Sequence, residues 1–390
     1  MIHIEKIRKK IFSLVEENDK KIITLLGIRI RTKTSSYYEK LEIVTKTQDN
    51  YDLSALHRAK KAIIFIVPSK GQMAGGIMSI FNFCHYSRMV QKDCLCLIVT
   101  APGDFTYARN ETFENDELVY RWSQMRKNLT SVEDLIVHVP ECLVNRFYKD
   151  LSKADMSFLK SVAKLKLNVL NQNINLMPDM KYIEKLYNLT SDVIHSTGFH
   201  KYTTQQVCNR FKLPLYYLPS FLNLDNCVWR GVEGKKKVVL YSNDHHPMKQ
   251  QIIDRLRLEL ADFDFVEINN LSYAEFLALI ADCLFTISFG EGFDGYYIQP
   301  YYAGSIGITV YNEEFFPEAA IADFPFVYGS YQELGEKVSE DIKDICEDKN
   351  KYSEVARHTH DYFVEHINKV NHTIEGLRNV YEERPTFLPK

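Results

Sequence analysis

Short apolar runs recur along this chain, and stretches with helical spacing lie between them. No other feature limits the possible folds as much. Ala62–Pro68, Cys94–Thr100, Leu135–Val139, Leu167–Leu170, Asp192–His195 and Leu215–Leu218 read as strands. Ile77–Val90, Leu151–Leu165 and Thr203–Phe211 read as helices between them. Strands that are apolar on both sides belong in a parallel sheet covered on both faces. A polar, breaker-rich stretch follows, Leu224–Asn226 and then Arg230–Lys237. The alternation restarts with strand Val238–Tyr241, helix Lys249–Leu260, strand Phe263–Ile268, helix Tyr273–Ala281 and strand Cys283–Phe289. Helices are expected over Ser330–Cys346 and Tyr352–Tyr381. The expected fold class is therefore α/β, with two Rossmann-like domains over residues 61–225 and 226–350. Residues 1–60 read as an N-terminal appendage. The last helix, in residues 351–390, is about 45 Å long at 1.5 Å per residue, enough to cross back to the first domain. The 390 residues are 45 % hydrophobic, enough for two cores. Ligands of open α/β sheets bind outside the carboxyl ends of the strands. Two such halves facing each other leave a cleft there.

One segment is more specific than the rest. Ser288–Val310 reads SFGEGFDGYYIQPYYAGSIGITV. The strand before it runs into a turn carrying Gly290, Glu291, Gly292 and Gly295, and an aromatic helix then extends to Gly304. A strand, a glycine loop and a helix start make a phosphate-binding geometry. Glycines permit close backbone approach, and the helix N-terminus offers free N–H groups and about half a positive charge. Glu291 would repel phosphate, so its task is to hydrogen-bond hydroxyl groups beside it. Glycine loop, phosphate and hydroxyl-reading acid together suggest a nucleotide-sugar site.

The segment resembles the donor-site signature of the retaining glycosyltransferases of family four, roughly E-G-F-G-L-P-x-x-E-A-M-A-x-G-x-P-V. Glu291, Gly292 and Phe293 match its opening, and Gly304 matches its later glycine. The second glutamate is replaced by Gln299, and the proline before the final strand by Ile306. The resemblance implies a GT-B architecture, with Glu291 on the donor sugar and the position of Gln299 on the ribose. Charged hydrogen bonds contribute about 1.5–3 kcal/mol and neutral ones about 0.5–1.5 kcal/mol. Gln299 therefore keeps the ribose contact at lower strength. The family also places an arginine and a lysine on the diphosphate in the loop that Tyr241–Gln250 (YSNDHHPMKQ) occupies. Lys249 fits the lysine; a solvated lysine at a helix start is the plain alternative. Asn243, Asp244 and His245 stand where the arginine belongs, and Asn243 is the donor contact expected there. His245 and His246 are further candidates. Gly75 and Gly76 open the first helix of the first domain, where the family lies close to donor phosphates and acceptor. His138, Glu141 and Asn173 end strands of that domain and are the expected acceptor contacts, with Gln172 and His200 beside them.

The resemblance implies transfer of a sugar from a nucleotide diphosphate to a glycan or lipid-linked acceptor, with retention, as in cell-surface polysaccharide synthesis. The resemblance also implies that the leaving phosphate itself takes the acceptor's proton. Two other readings stay open. One is a nucleotide-sugar epimerase of the same fold, which needs several cleft carboxylates. The other is an inactive sugar-nucleotide-binding protein, suggested by Gln299 and the missing arginine. No D-x-D pair follows a strand, so no metal and no other cofactor is expected beyond the nucleotide-sugar co-substrate. A net charge of −3 gives no field for nucleic acid. The eight cysteines form no C-x-x-C pair, which suits reduced thiols and a cytoplasmic location. Met1–Glu17 is charged throughout, unlike a secretory leader. Ile4, Ile7, Ile11, Phe12 and Val15 have helical spacing there, beside Lys6, Arg8, Lys9 and Lys10. Such a helix would either lie on an anionic membrane, at its inner face, or pack on the body of the protein.

Overall fold

The computed structural model describes residues 12–17, 20–25, 28–68, 74–103, 117–222, 224, 226–269 and 271–390. Among the described residues of the appendage, an antiparallel three-stranded sheet comes first, β1 (Phe12–Glu17), β2 (Lys20–Leu25) and β3 (Ile28–Lys33). A helix, Ser35–Asp49, follows. The helical reading of Ile4–Glu17 therefore fails over Phe12–Glu17. Phe12 and Leu14 also satisfy a period of two, and β1 pairs with β2 from Phe12↔Leu25 to Glu17↔Lys20. Ile4, Lys6, Ile7, Arg8, Lys9, Lys10 and Ile11 lie outside the described residues.

The first large sheet contains β4 (Lys61–Val67), β5 (Leu95–Thr100), β6 (Val119–Tyr120), β7 (Asp134–Pro140), β8 (Lys164–Asn171), β9 (Asp192–Thr197) and β10 (Leu215–Tyr217). Its order is β10-β9-β8-β7-β4-β5-β6, and every pair is parallel. β4 is buried at every position after Lys61, as expected for a strand covered on both faces. The chain moves outward from β4 to β6 and then returns to β7. The direction of winding thus reverses between β4 and β7, where such sheets bind ligands. Helices occupy Glu141–Asp150 and Lys153–Ser161, where a single helix over Leu151–Leu165 was expected. Ser152 divides them by capping: its Oγ accepts the N–H of Asp155, whose carboxylate accepts the N–H of Ser152 at 2.8 Å.

The second sheet contains β11 (Lys236–Ser242), β12 (Asp264–Ile268), β13 (Cys283–Ile287), β14 (Ile306–Val310) and β15 (Val327–Tyr328). It is also parallel, in the order β12-β11-β13-β14-β15, so its winding reverses between β11 and β13. The two Rossmann-like sheets face each other across a cleft. One helix, Gly75–Val90, serves both. Its Ile77, Ile80, Phe81, Phe83 and Cys84 join one apolar cluster with Phe65 of β4, Leu240 of β11, and Tyr273 and Phe276 of the helix Tyr273–Asp282. A helix apolar on most sides can be stable only when buried on most sides.

The C-terminal segment crosses back to the first domain in pieces rather than as one helix. Helix Lys349–Tyr362 continues into a π turn, Phe363–Ile367, and a new helix runs from Val370 to Tyr381. Asn368 fixes the break. Its Nδ2 donates to Leu222 O at 2.9 Å and its Oδ1 accepts the N–H of Leu222 at 3.2 Å. The final helix lies on the helix Gly75–Val90, where the Tyr381 and Ser87 hydroxyls meet at 2.5 Å. Beyond it, Phe387 pairs with Leu215 at the free edge of β10. Among the described residues no helix is long and apolar enough to cross a membrane.

Candidate functional site

The loop after β13 is built by its own side chains. The N–H of Phe289 donates to Ser242 Oγ at 3.0 Å, tying the loop to the end of β11. Ser288 Oγ donates to Asp294 Oδ2 at 2.5 Å, and Asp294 Oδ1 accepts the N–H groups of Tyr296 at 2.8 Å and Tyr297 at 3.2 Å. Asp294 is thus the N-cap of the helix Gly295–Tyr302. Gly292 has a φ of 87°, and a Cβ there would lie 2.5 Å from Val310 O. Thr309 Oγ1 donates to Gly292 O at 2.7 Å and completes the cradle. Asp244, in the loop after β11, packs against Gly290, where a Cβ would meet its Oδ2 at 2.9 Å.

The first domain supplies the opposite wall. Glu141 follows β7 and opens the helix Glu141–Asp150. Its Oε2 accepts the N–H of Gln172, from the end of β8, at 3.1 Å. The next residue crosses the cleft: Asn173 Nδ2 donates to Glu291 Oε1 at 2.5 Å. Gly75 and Gly76 start the helix that follows β4.

Two adjoining cavities occupy the cleft, of about 310 and 410 Å³, and Glu291, Gln299, Gly75, Gly76 and Gln172 line both. Phe199, His200, Lys201, Phe293, Phe315 and Phe316 belong to the smaller one. Glu141, Asn173, Met78, Phe276 and Tyr296 belong to the larger one. Gln299 is 5 % exposed and accepts the Tyr273 hydroxyl at 3.1 Å.

The carboxyls of the site are held unusually close to neutrality. Burial pushes Glu141 up to about 7; N–H donors from Gln172, Glu141 itself and Asn173 oppose that, and the charge of Glu291 adds to it. Burial also pushes Glu291 up to about 7, with Asp294 and Asp244 adding and the Asn173 hydrogen bond opposing. Asp294 rises to about 6 for the same leading reason, against the hydrogen bond from Ser288. Near neutral pH Glu141 and Glu291 can therefore each give or take a proton, as acid–base catalysis requires.

The structure does not bring every candidate to these cavities. His138 is fully buried within the sheet. Its ring stacks on Phe65 at 4.2 Å, and Asn168 Nδ2 lies 2.8 Å from its Nδ1. Burial holds His138 down to about 3, so the ring is neutral. A strand covered on both faces leaves its side chains no route to the cleft. Lys249 lines neither cavity. Its Nζ donates to Ser242 O at 2.7 Å and pairs with Glu267 of β12 at 2.6 Å. Asn243 is exposed on the loop after β11 and also lines neither. Gly290 and Gly292 shape the loop rather than the cavity wall. Sequence reasoning missed Asp294 as a member of the site. An Asp-Gly pair directly before a helix is an N-cap signal, and that signal was available. It also missed Phe199, Phe315 and Phe316, which no local pattern marks. Among the described residues no group of three or more His, Cys, Asp or Glu side chains is placed to hold a metal ion.

No protein-family model matches the chain, and no curated protein matches it in sequence. Solved structures do match its fold. A glycosyltransferase from Rickettsia africae ESF-5 superposes with a TM-score of 0.50 at 12 % identity, over 83 % of this chain and 98 % of that one. An alpha-glucosyltransferase in complex with UDP does so with a TM-score of 0.50 at 9 % identity, over 81 % and 95 % of the two chains. The N-terminal domain of Candida albicans trehalose-6-phosphate phosphatase gives 0.51 at 9 % identity, over 84 % and 98 %. The chain shares the two-domain GT-B fold with them.

Proposed function

We propose that this chain is a glycosyltransferase that moves a sugar from a nucleotide diphosphate to a glycan or lipid-linked acceptor. One observation carries the reading. Glu291 and Gln299 of the signature line the same cavities as Gly75 and Gly76 of the other domain. A fold shared with a glucosyltransferase solved with UDP supports it. In this reading Glu291 binds hydroxyls of the donor sugar and Gln299 the ribose. The first-turn N–H groups at Gly75 and Gly76 face the diphosphate. Glu141 and Asn173 form the acceptor wall. Transfer with retention, cell-surface polysaccharide synthesis and a place at the inner membrane face are the finer parts of the proposal. They follow from the resemblance of Ser288–Val310 to family four and from the basic cluster Lys6–Lys10. Loss of binding to anionic vesicles on deleting residues 1–17 tests the last of these.

A thermal-shift panel of nucleotide sugars identifies the donor. A ligand at 100 times its dissociation constant stabilises by about 2.7 kcal/mol. With that donor, Glu291→Ala is expected to fold and to lose about a hundredfold or more in turnover, the scale of one positioned polar group. Near-normal transfer by the folded variant would sink the assignment.

One observation favours a second reading. Glu141 and Glu291 enter the larger cavity from opposite domains, and a nucleotide-sugar epimerase needs an acid and a base around its sugar. Turnover in heavy water separates the two. Epimerisation through a carbon-bound proton places solvent deuterium on the sugar, and transfer does not.

A further inference from the structure

In the transfer reading Glu141 belongs to the acceptor wall and carries no step of the reaction. It is 5 % exposed, yet its side chain lines the cavity of about 410 Å³. A buried carboxylate is ordinarily paired with a cation. Among the described residues none pairs with Glu141; its partners are the backbone N–H groups of Gln172, Asn173 and Glu141 itself. It also stands opposite the donor loop. Asn173 lies beside both carboxyls: its Nδ2 donates to Glu291 Oε1, and its N–H helps to stabilise the charge of Glu141. The two acids are thus tied to one bridging residue but rooted in different domains, one on the donor side and one on the acceptor side.

We propose that Glu141 takes the proton from the attacking hydroxyl of the acceptor. The proposal rests on the transfer reading. The acceptor oxygen bonds to the anomeric carbon on the face that the phosphate oxygen leaves, as the bond from that carbon to the phosphate oxygen breaks, so the configuration is retained. The bonding pair leaves with the nucleoside diphosphate. The proton passes from the acceptor hydroxyl to the Glu141 carboxylate and from there to solvent between turnovers. Glu141 thus replaces the leaving phosphate as the proton's destination. The charged group facing Glu141 is Glu291, with Asp294 and Asp244 behind it, and no cation among the described residues offsets them. Glu141 must be ionised to act, so turnover rises as the pH passes upward through about 7.

The test uses the full chain and the member of the panel UDP-glucose, UDP-galactose, UDP-N-acetylglucosamine and GDP-mannose that shifts its melting temperature most. Nucleoside diphosphate release is followed with water as acceptor from pH 5 to 9. Glu141→Gln is expected to keep the donor's thermal shift, to lose about a hundredfold or more in release, and to leave only the part of the neutral-pH rise that Glu291 supplies. Glu141→Asp keeps the charge at shorter reach and is expected to keep that rise at a lower rate. Release by Glu141→Gln within about threefold of the wild type, or an unchanged pH rise in it, overturns the proposal. If Glu141→Gln does not fold, a Glu141→Asp profile without the rise overturns it instead. A wild-type protein that binds none of the four donors removes the transfer reading, and this proposal with it.

Discussion

A carboxyl that is buried and kept neutral costs its fold more as the pH rises. Glu291 illustrates the sign. Its unfolded form ionises near 4.3, but its folded form ionises near 7. Between those values the folded state binds the extra proton, so stability falls as the pH rises through that window and is flat above it. Glu291→Gln keeps an acceptor for Asn173 Nδ2 and removes the charge. Its melting temperature is expected to exceed the wild type by about 2 °C or more at pH 8, and to match it at pH 4. Equal gains at both pH values would show that packing, not ionisation, sets the difference. Lys249 carries the opposite lesson. Its ammonium is already engaged by Ser242, Asp244 and Glu267. Lys249→Met is therefore expected to lower stability and to change the affinities for UDP and uridine by similar factors. A loss confined to UDP would put the ammonium on the diphosphate after all. The place of Glu291 in the cleft was legible in the sequence because a local motif surrounds it. The fate of Lys249 was not, because its partner sits on a neighbouring strand and pairing across a sheet leaves no local trace.

At the scale of elements, alternation was the readable signal. A parallel strand buried on both faces is continuously apolar, so the inner strands announced themselves. Element ends and breaks were less visible. The break at Asn368 carries no glycine or proline. It arises because an amide side chain finds both backbone groups of Leu222. Only the assembled fold supplies that partner. The loop after β13 is the counter-example, since its glycines state its geometry. A side chain at Gly292 must hold a left-handed backbone, at about 1–2 kcal/mol, and meet the carbonyl of Val310 as well. Gly292→Ala is expected to melt several degrees lower and to lose nucleotide-sugar binding, read by calorimetry. Unchanged donor affinity in that variant would show that the loop does not shape the donor site.

Over the whole molecule, two domains were legible from the repeated pattern, but their shared core was not. The helix Gly75–Val90 reads as an ordinary apolar helix of the first domain, yet it shares one apolar cluster with residues of both sheets. The last helix reinforces that unit. Leu377 and Val380 are fully buried, and Gly376 lies so close to β10 that a Cβ would sit 2.9 Å from Tyr217 O. Gly376→Leu is expected to push this helix off the first domain. Chymotrypsin should then cut after Tyr381 well before the rest of the chain, and a wild-type digestion pattern would refute that. The pairing of Leu215 with Phe387 has a further consequence, for the order of events at the ribosome. Synthesis runs at about 5–20 residues per second. The free edge of β10 therefore emerges about ten to thirty seconds before the segment that covers it. A nascent chain of this protein thus carries an open β10 edge before the segment that pairs with it has been made.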